Sequence, residues 1–113
     1  GGAGAVGSQA LTGIAMLERL RQAFPGRIAV WPFEPLTAPV ILAEVFPSIL
    51  AAEVNARLKP GVVKDQVQVT LLARALHALP SLAPLLETPD DPRIADEGWI
   101  LGLGHEAALR AGL

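Results

Sequence analysis

Cysteine is absent from these 113 residues, so the chain has no disulfide framework and no thiolate metal site. Charge is scarce as well. Asp, Glu, Lys and Arg make up 18% of the residues, below the roughly one quarter usual for a soluble domain. The formal net charge of -2 excludes a basic phosphate-binding surface as the dominant feature. No apolar run approaches the roughly 20 residues that span a bilayer, so no membrane partner is expected. No basic stretch followed by an apolar one opens the chain as a secretory signal would, and the expected compartment is the cytoplasm. The chain begins Gly1-Gly2-Ala3-Gly4 without a Met, from which we expect the C-terminal portion of a longer protein.

What is present is apolar. Hydrophobic residues account for 51% of the chain, which implies a large core, or apolar surface set against a partner such as a second copy of the chain. The length fits one domain that needs no metal staple. Ser8 reads as the N-cap of a helix to about Phe24, with Leu11, Ile14, Leu17, Leu20 and Phe24 as its apolar positions. Pro25-Gly26 stops it. Arg27 to Trp31 reads as a short strand, and prolines 32, 35 and 39 bound an irregular connection. Val40 to Phe46 (VILAEVF) reads as a central strand, apolar on both faces and covered by helices. Pro47 opens a helix to about Leu58, burying Ile49, Leu50, Val54 and Leu58. Lys59-Pro60-Gly61 breaks it.

Asp65 opens a further helix to about Leu79, whose stripe is Val69, Leu72, Ala75, Leu76 and Leu79. Pro80 to Glu87 reads as a helical turn, Gly98 to Leu103 as a last strand or turn, and His105 to Leu113 as a short helix. The fold class is α/β, with fewer strands than the usual five or six. Either strands lie upstream or a second copy completes the sheet.

Two constellations carry chemistry. Gly2-x-Gly4-x-x-Gly7 ahead of a helix matches the dinucleotide-binding fingerprint, in which backbone N–H groups and a helix N-terminus face a pyrophosphate. That motif needs a strand before it and an acidic residue about 20 positions on. The nearest candidate, Glu34, lies past Pro32 and is badly placed, so a close-packed or flexible helix entry is the alternative. The second constellation is acidic. Glu44 stands between Ala43 and Val45 in the apolar strand, where burial would cost several kcal/mol unless a cation or donors met it. It either pairs with Arg27, Lys59 or Lys64, or projects from the strand end into a polar cleft. Asp65 reads as an N-cap with Gln68 completing a capping box, a role compatible with facing the same cleft. Two such carboxylates can share Mg²⁺ or Mn²⁺, which take oxygen ligands, and so serve a phosphate-containing substrate.

The segments AEVFPSIL, KDQVQVTLLARAL and DEGWIL, together with GGAGAVGSQALTGI, resemble a group of uncharacterised proteins with a ribonuclease H-like fold, often described as predicted nucleases. The resemblance implies a partial ribonuclease H-like sheet with flanking helices. It implies Glu44 as the strand carboxylate, Asp65 as the helix carboxylate, and Lys64 as a neighbour in contact with phosphate. It also implies an essential Asp on an earlier strand that these residues do not include, so the acidic site is expected to be incomplete. Some similar bacterial proteins carry a label linking them to molybdopterin-guanine dinucleotide biosynthesis. His77 and His105 have no metal-ligand spacing, and Ser8, Ser48 and Ser81 read as helix starts rather than nucleophiles.

Overall fold

Residues Ala3–Ala23 form a single helix, α1, in a computed structural model that describes the backbone of residues 3–113 and the side chains from residue 11 onward. The helix therefore begins five residues before Ser8, the start expected from capping. Glycine costs about 1 kcal/mol in a helix interior. Extending a helix that already exists, however, gains one hydrogen bond per residue ordered, and Ala3, Ala5 and Ala10 are the best helix formers. The C-terminal stop is as expected. The Phe24 N–H donates to the Leu20 carbonyl at 3.0 Å, and Gly26 turns the chain at φ +73°.

The apolar positions of α1 do not form one buried stripe. Leu17 and Leu20 are half-buried, whereas Leu11 is 73% and Ile14 65% exposed. Steps of three residues drift around a helix by about 60° each. Leu11 and Ile14 therefore fall on the side of Glu18 and Gln22, away from Leu20.

After the turn, β1 (Ile28–Val30) pairs in parallel with β2 (Val40–Leu42), Ala29 standing opposite Ile41. The ladder runs one bond past each end: Val40 N–H donates to the Arg27 carbonyl at 3.1 Å, and Trp31 N–H to the Leu42 carbonyl at 2.9 Å. Beyond Trp31 the chain folds back, with Phe33 and Glu34 N–H both donating to the Val30 carbonyl. This sets the length of β2. A strand needs a partner, and β1 offers none past Leu42, so the expected strand to Phe46 stops four residues early. Nor is β2 covered on both faces, since Val40 is 44% and Ile41 36% exposed.

The chain divides into two compact units, the first ending at Leu42 and the second spanning Ala43–Leu113. Within the first, Ala29 and Trp31 are the buried hydrophobic residues among those described. The second holds a fuller core of Ile49, Leu50, Val54, Leu71, Leu72, Ala75, Leu85 and Leu109. It begins with a 3-10 helix, Pro47–Leu50, that leads into α2 (Ala51–Asn55). Pro47 occupies the first turn as expected, but the helix ends at Asn55 and leaves Leu58 36% exposed.

The long helix α3 is Lys64–Ala78. Its buried residues are Leu71, Leu72 and Ala75, and Val69, expected in the stripe, is 58% exposed. A 3-10 turn at Ala83–Leu86 follows; Leu82, not Ser81, takes its N-cap position, while Ser81 Oγ accepts the Ala83 N–H at 3.1 Å from one residue earlier. Next come α4 (Ile94–Glu97), which the sequence pattern did not reveal, and the terminal helix α5 (Glu106–Ala111). Gly98 to Leu103 is turn, not strand. The chain is thus a mixed α/β protein with a two-stranded parallel sheet. No helix among the described residues is long and apolar enough to cross a membrane.

Candidate functional site

Glu44 lies outside any strand, two residues past β2, and its side chain is exposed. The expected burial in an apolar strand is overturned, and with it the desolvation cost that would have demanded a partner. The expected ion pair with Arg27, Lys59 or Lys64 is not formed either; among the described residues Glu44 enters no salt bridge. Its backbone is held, because the Leu101 N–H donates to the Glu44 carbonyl at 2.9 Å. The segment is therefore anchored by its main chain and presents its carboxylate to water.

Asp65 is the second residue of α3, not its cap. Val63 takes the N-cap position with no side-chain bond, and Lys64 is the first helical residue. Both Lys64 and Asp65 are exposed. An acid in the first turn still favours the helix through the partial positive charge of its N-terminus. Gln68 does not complete a capping box. Its Nε2 donates instead to Ser48 Oγ at 3.2 Å, across 20 residues of sequence.

That bond matters for the acidic pair. Ser48 stands four residues after Glu44, in the 3-10 helix, and Gln68 three residues after Asp65, in α3. The two elements also share the core, through Ile49 and Leu50 on one side and Leu71 and Leu72 on the other. Glu44 lies in the irregular segment just before this 3-10 helix, in the same compact unit as Asp65. Among the described residues no group of three or more His, Cys, Asp or Glu side chains gathers as a metal cluster. Any cation held by the pair would take its other ligands from water or substrate, as Mg²⁺ commonly does.

The glycine reading changes in kind. Gly4 and Gly7 are helical residues of α1, without the separate loop the fingerprint requires, and Gly2 lies outside the described residues. No protein-family model, curated protein or solved structure matches this chain. The site must be read from its own chemistry.

One feature escaped the sequence reading. Arg21 of α1 donates from Nη2 to Glu34 Oε2 at 3.0 Å and from Nη1 to Glu18 Oε2 at 2.7 Å. The other oxygen of Glu34, Oε1, accepts the Val30 N–H at 3.1 Å, which closes the end of β1. The Arg21 guanidinium, helped by that N–H, holds the Glu34 carboxyl below its ordinary range. Glu18 first, then Glu34, push Arg21 above its own. Both residues line a cavity of about 230 Å³ together with Gly26, Ile28, Ala29 and Thr37. The signal was there in part: an acid four residues after a strand residue, inside a proline-bounded turn, is placed to cap that strand. Judged only as a ribose ligand, Glu34 looked misplaced.

Proposed function

We propose that this chain is part of a metal-dependent phosphodiesterase of ribonuclease H-like architecture, in which Glu44 and Asp65 hold Mg²⁺ or Mn²⁺. The observation that carries the reading is the Ser48–Gln68 hydrogen bond. It fastens the 3-10 helix that follows Glu44 to the helix that carries Asp65, while both carboxylate side chains stay exposed. The donor set fits the group: carboxylate oxygens suit hard divalent cations, and two of them suffice for Mg²⁺ when water and phosphate oxygens fill the remaining positions. A cation so held would orient a water and neutralise charge on the transferring phosphoryl group. Glu44 and Asp65 bind and position. Lys64, beside Asp65, contributes a point charge for a phosphate oxygen.

Calorimetric titration of the chain with MnCl₂ tests the proposal. One saturable heat is expected, lost in Glu44→Ala and weakened in Asp65→Asn. No binding, or binding untouched by Glu44→Ala, refutes it.

A second reading has its own observation: Leu11 at 73% and Ile14 at 65% exposure on α1, in a unit whose buried hydrophobic residues, among those described, are Ala29 and Trp31. Isolated apolar side chains on a surface are normal, but these two stand one turn apart on the same side of α1, as neighbours on a helix surface do. On this reading the chain is a self-associating module and a second copy covers α1. Sedimentation equilibrium then gives a dimer that Leu11→Asp with Ile14→Asp converts to monomer; a wild-type monomer refutes it.

A further inference from the structure

We propose that the cavity beside β1 binds a small neutral heterocycle carrying a carbonyl and an N–H on adjacent ring atoms, as in a pyrimidine-2,4-dione. The inference rests on this cavity alone and is independent of the metal site. Its volume of about 230 Å³ falls short of the roughly 300–1,000 Å³ of drug-sized pockets, so a single ring sets the scale. The apolar lining comes from Ile28 and Ala29 of β1 and from Pro35; the polar lining is Arg21, Glu34 and Thr37.

Hydrogen-bonding capacity selects the ligand. A guanidinium has five N–H donors, of which Arg21 gives one to Glu18 and one to Glu34. Each Glu34 oxygen accepts one bond, from Arg21 or from Val30 N–H, and keeps a further lone pair. Both residues line the cavity, so the pair has donor and acceptor capacity left for a ligand there. The complementary edge is an acceptor beside a donor, which a cyclic imide or lactam presents in one plane. Thr37 adds a hydroxyl that enters no hydrogen bond with the described residues and can act in either sense.

Charge narrows the class further. The charged residues of the lining are Arg21 and Glu34, which pair with each other, so the lining is neutral and suits an uncharged ring. A nucleotide, with its sugar and phosphate, exceeds the single-ring volume and gains no unpaired cation.

The test is a titration of the chain with uracil, followed by amide chemical shifts. Saturable shifts are expected at Ile28, Ala29 and Thr37. Thr37→Val, an exposed position that leaves the fold intact, should weaken binding about tenfold, the effect of one neutral hydrogen bond. The ligand 1,3-dimethyluracil keeps both carbonyls and loses both N–H groups, and should bind at least as weakly. Uridine 5′-monophosphate should bind less tightly than the free base. Three results overturn the proposal: no saturable shift at the solubility limit of uracil, equal binding of the dimethylated ring, or tighter binding of the nucleotide.

Discussion

Glu53 and Arg110 form an ion pair at the margin of the larger core, and removing Arg110 should cost more than the pair contributes. Arg110 Nε lies 2.8 Å from Glu53 Oε1, an ion pair whose side chains are 48% and 21% exposed. Each residue adjoins a fully buried neighbour in sequence, Val54 and Leu109. The second oxygen, Glu53 Oε2, is buried with no hydrogen-bond partner. The pair alone, with one partner half in water, is worth about 0.5 kcal/mol. A buried acceptor deprived of its donor costs about 1–3 kcal/mol. Arg110→Ala would therefore leave the Glu53 carboxylate, one oxygen of which is buried, without its counter-charge and destabilise the fold by about 1–2 kcal/mol, discounted for water reaching Oε1 once Arg110 is gone. Glu53→Leu removes the unsatisfied oxygen together with the charge and should be close to neutral.

The double variant should therefore resemble Glu53→Leu, not the sum of the two changes. Urea unfolding followed by far-ultraviolet circular dichroism measures all three against wild type, and equal slopes confirm that stability alone has changed. The reasoning fails if Arg110→Ala is as stable as wild type, or if Glu53→Leu is the more damaging substitution.

Gly102→Ala should destabilise the protein by about 1–2 kcal/mol in the same assay, because the residue has φ +93° and a new Cβ would lie 3.0 Å from Leu109 Cδ1. Leu109→Ala, at a side chain with no exposure, should lower stability by about 2–5 kcal/mol and thus unfold a marginal chain at modest urea. The Glu34 carboxyl titrates below the ordinary carboxylate range in the folded protein, through Arg21 and the Val30 N–H. A depressed carboxyl adds stability that is fully present above that range and is lost as pH falls through the folded value. Trp31, 4% exposed in the same unit, reports this by fluorescence, and Glu34→Gln should flatten the acid side of the curve; an unchanged acid limb would contradict the assignment.

How much of this was legible depended on whether the signal was carried by the residue's own backbone. Pro25-Gly26 ended its helix as read and Pro47 began one, because proline and glycine act where they stand, whereas the helix expected to run to Lys59-Pro60-Gly61 stops at Asn55. Burial was less legible, since it depends on what lies opposite. Val69 and Leu71 are both apolar residues of α3, yet one is exposed and the other buried, and only the position of the neighbouring helices separates them. The strand from Val40 to Phe46 failed for the same reason: β propensity supplies half of a ladder, and β1 supplied three residues of the other half.

The side-chain bonds that shape both candidate sites are non-local. Arg21 and Glu34 are separated by 13 residues and Ser48 and Gln68 by 20, with no motif announcing either. For Glu44 the consequence reaches into the chemistry. As a buried strand residue it would have required a cation to offset lost hydration. As an exposed one it keeps its charge without cost, so its place in an apolar run is no evidence for a metal. The proposed metal role rests instead on the tie between α3 and the 3-10 helix that follows Glu44, and the loss of Mn²⁺ binding in Glu44→Ala is the result that separates a ligand from a solvated surface acid.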